Sequence, residues 1–346
     1  MRSAWIVKIF GALLTSTGVI LSFIVVLAVA EVGARVYIHY FVDGKSFFRT
    51  NPFITPWITT SDYPPPRYVD GKAYFRHRST PTPMTKTKDT VRIITMGGST
   101  TANQRAFRQT GKDYALSLES ILNNKNDGIS YEVLNAGADA YTSAHSIVNL
   151  FFRLLEYRPD IILLMHNTND LTVNYVGDGA ISDYGNKYLS SAYLALPLQA
   201  TSSILGLVNQ SRLLTYFNLP GAIRAYNANF MDPTKDISLG LEYFRRNIEL
   251  ITDICKRNGI KLVLITQPRK LTDLSFLGQE HFKAYNDVTR QVAGNGKAQI
   301  IDMFNLLGHD PSLFDGEFHF TPAGINKFAE HIADHLNKTG TGGLSQ

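Results

Sequence analysis

Val91-Arg92-Ile93-Ile94-Thr95-Met96-Gly97-Gly98-Ser99-Thr100 runs from a β-branched, apolar stretch directly into two glycines and a pair of hydroxyls. An apolar run of that length, closed by glycines, reads as a buried strand over 91–96 that turns sharply at its end. Outward from it, similar runs at 131–135, 161–165, 261–266 and 298–302 read as further strands. Amphipathic stretches at 114–123, 143–157, 238–258, 279–293 and 322–337 read as helices between and after them. Near-continuous apolar strands alternating with helices predict a parallel sheet covered on both faces, a three-layer α/β/α sandwich with a flavodoxin-like sheet of about five strands. Ligands of such folds bind at the carboxyl ends of the strands.

Four blocks carry the chemistry, each read as lying just after an apolar strand-like run, at the strand's carboxyl end, the last of them near the C-terminus: Gly97-Gly98-Ser99-Thr100, Asn135-Ala136-Gly137, Asn167-Thr168-Asn169-Asp170 and Asp315-Gly316-Glu317-Phe318-His319. Ser99, presented beyond a strand and two glycines, is a candidate nucleophile whose own N–H points into the site. Gly137 has no Cβ to hinder approach of a backbone N–H to a developing oxyanion. Asn169 can add a side-chain N–H to the same charge. His319 would take the Ser99 proton and return it to the leaving alcohol, with its ring oriented by a carboxylate. These are the parts of an acyl-transferring hydrolase.

In block order, residues 91–338 resemble the SGNH, or GDSL-type, hydrolases, a family of esterases, lipases, thioesterases and carbohydrate deacetylases. The resemblance implies Ser99 as nucleophile, Ser99, Gly137 and Asn169 as the oxyanion hole, and His319 as the base, followed by Phe320-Thr321-Pro322 and Gly324 at the start of the last helix. Two departures stand out. Gly98 occupies the place of the family's usual aspartate, and Gly316 stands three residues before His319, where the family's acid belongs. Asp315 serves if the loop bulges by one residue at Gly316. Otherwise Glu317 serves, or the enzyme works as a Ser–His dyad. The resemblance implies a serine esterase acting through an acyl-enzyme on O-acyl esters, O-acetyl among them, of a glycan or lipid. The alternatives are an O-acyltransferase of envelope polysaccharide using the same serine, and a catalytically silent binding module of the same fold.

Other chemistries fit less well. No Walker lysine follows the Gly-Gly-Ser-Thr turn and no G-x-G-x-x-G spacing occurs, which argues against a phosphate loop. His145 and His166 lie near the second and third blocks, but no histidine pair has zinc-ligand spacing with carboxylates, so no metal and no organic cofactor is expected. His166 could line a pocket or simply end a strand.

The 346 residues are 44% hydrophobic and 18% charged, enough for one catalytic domain. The net charge of +5 is unevenly placed: residues 31–92 hold ten Lys/Arg against five Asp/Glu, whereas 93–346 hold 22 against 24. The excess lies beside an uncharged apolar run, residues 9–30, that is long enough to cross a bilayer after the basic residues of 1–8. That placement suits a membrane surface or glycan neighbour, or equally a solvated basic stretch with no partner, and argues against nucleic acid. A cleavable signal is the alternative, because Ala28-Val29-Ala30 has the small-x-small pattern. A single-pass N-terminal anchor with an extracytoplasmic catalytic domain is the expectation. Residues 31–90 then form a Pro- and aromatic-rich juxtamembrane segment, and 91–340 the hydrolase domain with an insertion at 171–237 holding Tyr175, Tyr184, Tyr188, Tyr193, Tyr216 and Tyr226. The single cysteine, Cys255, excludes an internal disulfide.

Overall fold

A computed structural model describes residues 2–37, 65–125, 127–175, 179–184, 232–270 and 278–340. The chain divides into two compact units, residues 1–54 with 191–229 and residues 55–190 with 230–346. The described part of the first unit is one helix, α1 (Arg2–Tyr37), which contains the apolar run 9–30 and carries on through Glu31-Val32-Gly33-Ala34-Arg35. Its stretch Thr17–Tyr37 is 21 residues long and contains an 18-residue window of mean hydropathy 2.3, long and apolar enough to cross a membrane. Near its end, Arg35 pairs with Glu31 one turn earlier at 2.8 Å.

The second unit is built on five parallel strands, β3 (Thr90–Gly97), β4 (Ser130–Asn135), β5 (Ile161–Met165), β6 (Lys261–Ile265) and β7 (Gln299–Ile301), in the order β4-β3-β5-β6-β7. They follow a short hairpin of β1 (Arg67–Val69) and β2 (Lys72–Tyr74), and precede a second hairpin of β8 (Phe314–Asp315) and β9 (His319–Phe320). Helices α2 (Ser99–Ala102), α3 (Gln104–Thr110), α4 (Tyr114–Asn123), α5 (Ser143–Phe152), α6 (Thr168–Leu171), α7 (Ser238–Arg257), α8 (Gln279–Val292), α9 (Met303–Leu307) and α10 (Pro322–Thr339) connect and cover the strands.

The two-residue period of the strands divides the core in two. Ile94, Met96, Leu134, Ile162, Leu164 and Leu264 pack on one face against Leu150 of α5, Phe244 and Ile248 of α7, and Phe282 and Tyr285 of α8. Val91, Ile93, Val133, Ile161, Leu163 and Val263 pack on the other against Leu118 and Leu122 of α4 and Phe328 and Ile332 of α10. Each such buried side chain contributes about 1.5–3 kcal/mol. The expected three-layer sandwich is therefore what forms. The chain leaves β3 for β4 on one side and then crosses to β5 on the other, so the strand order reverses at the carboxyl end of β3. That switch point is where Ser99 emerges.

Two local differences from the sequence reading have visible causes. The helix expected over 143–157 ends at Phe152, where Arg153 leaves helical geometry (φ −136°), and a 3-10 turn covers Leu154–Tyr157. Arg153 spends its side chain on the Pro66 carbonyl and lies over the Tyr68 ring at 5.2 Å. Ahead of β3, Phe75 is 1% exposed and meets Tyr157 edge-on at 5.0 Å. Arg92, also 1% exposed, donates to the Pro83 and Met84 carbonyls at 3.0 and 2.9 Å, tying residues 83–84 to the sheet. Of the aromatic residues in the segment 31–90, from which some packing on the domain is expected, Tyr68 packs near Tyr157 and Tyr74 lies under Arg67 at 5.8 Å, while Phe47, Phe48, Trp57 and Tyr63 lie outside the described residues. At the edge of the insertion Tyr175 and Tyr184 are buried, and Tyr188, Tyr193, Tyr216 and Tyr226 lie outside the described residues.

Candidate active site

Ser99 is the first residue of α2, immediately beyond β3. His319 opens β9, and its Nε2 lies 3.1 Å from Ser99 Oγ. The pair is 220 positions apart in sequence and sits in hydrogen-bond contact, the geometry a base needs to take a hydroxyl proton. Burial lowers the His319 pKa; the nearby Arg105 lowers it further, while the carboxylates of Asp139 and Asp315 oppose both. The ring is therefore biased toward the neutral form that a base requires.

The cleft beside Ser99 is lined by His166, Thr168, Asn169, Gln267 and Phe318. Asn169 comes from the third block, and its Nδ2 donates to the Tyr141 carbonyl at 2.9 Å, which fixes the amide plane. A Cβ on Gly98 would stand 2.4 Å from that Nδ2. Glycine at 98 thus leaves room for Asn169 to sit against the nucleophile turn. Asp170, fully buried, accepts from the Ser143 N–H at 3.0 Å and from its hydroxyl, so its carboxylate serves the start of α5.

Gly137 lies elsewhere in the hydrogen-bond pattern than its sequence neighbourhood suggested. Its N–H donates to Asn135 Oδ1 at 2.9 Å and its carbonyl accepts from Arg76 Nε at 2.9 Å. A Cβ there would stand 2.5 Å from the Ala102 N, so the glycine lets α2 pack directly on the end of β4. Three residues on, Ala140 holds a left-handed φ of +65° in the turn whose next carbonyl, that of Tyr141, receives Asn169. The Ala140 N–H meets no acceptor among the described residues.

The two candidate acids take different partners. Gly316, at φ +77°, supplies the bulge, and Asp315 faces His319 directly across the β8–β9 ladder. Its Oδ2 is nevertheless held by Arg105 Nε at 2.7 Å, and Ser99 is the hydrogen-bond partner that the His319 ring has among the described residues. Glu317 pairs with the buried Arg269 at 2.8 Å, and that guanidinium lies over the Phe282 and Phe318 rings at 5.1 and 5.9 Å.

Some site residues carry no sequence signal of their own, and one does. Gln267 follows β6 just as the named blocks follow their strands; its Nε2 donates to Thr100 Oγ1 at 3.2 Å and its Oε1 accepts from the Thr168 N–H at 3.1 Å. It thereby links the nucleophile turn to the third block. His166 is buried, bonded to Ser146 Oγ through Nε2 at 2.7 Å, and also borders the cleft. His145 joins Thr142 in the capping box of α5. Among the described residues no group of three or more His, Cys, Asp or Glu side chains is placed to hold a metal ion.

Comparison with known proteins places this geometry in company. The profile of the GDSL-like lipase/acylhydrolase family matches residues 95–325. Among solved structures, a lipase/acylhydrolase from Enterococcus faecalis aligns over 72% of this chain and 96% of its own, with 15% identity and a TM-score of 0.44. An acetylxylan esterase from Geobacillus stearothermophilus aligns over 72% and 94%, with 15% identity and a TM-score of 0.46. No protein of curated function matches.

Proposed function

The chain belongs to the GDSL-like lipase/acylhydrolase family and is a carboxylic ester hydrolase, and from that premise we propose how its residues divide the work and where it acts. Ser99 Oγ attacks the ester carbonyl while His319 Nε2 takes its proton. The alkoxide of the tetrahedral intermediate is held by the N–H of Ser99, the N–H of Ala140 and the side-chain amide of Asn169. Ala140 replaces Gly137 in this role, because the Gly137 N–H already serves Asn135. Collapse of the intermediate releases the alcohol with the proton from His319 and leaves an ester on Ser99. Water, deprotonated by the same ring, attacks that ester, and the carboxylic acid departs with the serine restored. Asp315, across the ladder from His319, is the carboxylate placed to orient the imidazolium once it leaves Arg105, whereas Glu317 is paired with the buried Arg269.

The observation that carries the reading is the 3.1 Å contact between His319 and Ser99 at the switch point of the sheet. We assign the substrate to O-acyl esters, O-acetyl among them, on an envelope glycan or lipid, and α1 to a membrane anchor that leaves the catalytic unit on the extracytoplasmic side. What supports the anchor is the 21-residue apolar stretch Thr17–Tyr37. The test is hydrolysis of 4-nitrophenyl acetate and of a long-chain homologue by the purified protein. Ser99→Ala is expected to lose about 10³-fold or more of kcat, and Asp315→Ala far less. Full activity in Ser99→Ala, with its fold intact, would overturn the assignment.

A further inference from the structure

Helix α3, whose Arg105 acts on His319, carries a cationic rim that hydrolysis of a neutral ester does not use. Helix α3 and the turn after it carry Arg105, Arg108 and Lys112 without an acidic residue among them up to Asp113, whose carboxylate is fully buried and spent on Leu116 N, His77 and Asn135. Arg108 and Lys112 have no anionic partner among the described residues. Arg105 has its side chain 68% exposed, and its partner is the carboxylate of Asp315 at 2.7 Å. Asp315 in turn lies directly across the ladder from His319 without bonding its ring. A solvent-exposed guanidinium therefore occupies the carboxylate that the base needs, and a carboxylate is the ligand it has selected.

We propose that Arg105, on the helix that also carries Arg108, is a specificity-determining residue that receives a carboxylate borne by the sugar part of the substrate, an acidic O-acylated saccharide, and so releases Asp315 to His319. This rests on the ester-hydrolase reading and names the class of ester. The substrate carboxylate substitutes for Asp315 on the guanidinium, charge for charge. Asp315, freed, lies opposite the ring across the three-residue turn 316–318 and meets it by a side-chain rotation. An acidic saccharide thus binds and completes the catalytic group in one exchange, whereas a neutral ester meets a base whose acid is held away.

The experiment uses the full chain in detergent and reads binding and turnover separately. Titration of trigalacturonate, its methyl ester and inorganic phosphate is compared between the protein and Arg105→Gln. Trigalacturonate is expected to bind about fivefold tighter than its methyl ester, the size of one exposed ion pair, and tighter than phosphate, with the preference gone in Arg105→Gln. Equal binding of acid and ester, a preference that survives Arg105→Gln, or phosphate binding as well as trigalacturonate would each overturn the proposal. In the second arm, kcat/KM for 4-nitrophenyl acetate is followed against pH. The groups facing His319 are Asp139 after β4, Asp315 on β8 and Arg105 on α3. Losing the cation and gaining the carboxylate both favour the protonated ring, so Arg105→Gln is expected to move the acidic limb to higher pH; an unmoved limb would count against the exchange. Ser99-dependent turnover without charge discrimination sinks the rim and keeps the hydrolase. Charge-selective binding lost in Arg105→Gln, with no Ser99-dependent turnover, does the reverse.

Discussion

Gly98 shows how a single missing side chain shapes the chemistry, because a Cβ there would come within 2.4 Å of Asn169 Nδ2. Gly98→Ala is expected to displace that amide and to lower kcat toward the loss of about 10²–10³ expected for Asn169→Ala. Since both changes strike one donor, the double variant should be no worse than Asn169→Ala alone; additive losses would separate Gly98 from the oxyanion hole. The pH dependence follows from His319, whose pKa burial pushes below the ordinary value of about 6.5. The base stays neutral below that value, so kcat/KM of the protein is expected to hold as pH falls through 6.5 and to decline only further down. The same depression means that the unfolded chain binds the proton more tightly than the folded one, so stability from this group falls as pH drops below the unfolded value. Part of this scale was legible in the sequence: Ser99 and Asn169 follow β3 and β5 as the strand-end rule expects, whereas His319 opens β9 of a separate hairpin. Gly137 and Ala140 were not, because a glycine after a strand reads as an open amide while its N–H is claimed by Asn135. The residue with the left-handed turn is an alanine, which bears a strain of about 1–2 kcal/mol and leaves no mark in composition.

At the scale of elements, the third block does structural as well as chemical work. The buried Asp170 carboxylate takes the Ser143 N–H and hydroxyl at the start of α5, and Asn247 of α7 donates to that same hydroxyl at 3.0 Å. Asp170→Ala leaves these donors unmet and is expected to cost about 1–3 kcal/mol of stability, read as a lowered denaturant midpoint with the unfolding slope unchanged. A midpoint equal to that of the parent protein would show that the carboxylate is dispensable. Strands were readable one by one because their apolar runs are short and end in turn residues: the expected 161–165 is Ile161–Met165 itself. The break of α5 at Phe152 was unreadable for the opposite reason. Its local period continues to Tyr157, and what ends the helix is Arg153 reaching to Pro66, 87 positions away. The pairing of Asp315 with Arg105 is equally non-local, which is why the spacing around His319 left the acid open.

For the whole molecule, sequence order carried the architecture: five apolar runs separated by helices admit a parallel sheet covered on both faces, and the switch between β4 and β5 beside β3 puts the first and third blocks at one edge. Nothing in that order says which of two carboxylates turns toward the ring or what lies in the cleft. The N-terminal helix adds a prediction at this scale. The protein is expected to stay with the membrane fraction through alkaline carbonate, retaining Met1 or Arg2 at its N-terminus, and a variant without residues 1–40 is expected in the soluble fraction. A mature N-terminus at Glu31 would instead mean that Ala28-Val29-Ala30 is cut as a signal. The central claim is that His319 activates Ser99. Intact mass and peptide mapping after brief exposure to a fluorophosphonate test it most directly. One adduct on the peptide containing Ser99, absent in Ser99→Ala and formed far more slowly in His319→Ala, is the predicted result; an adduct elsewhere, or labelling as fast without His319, would contradict it.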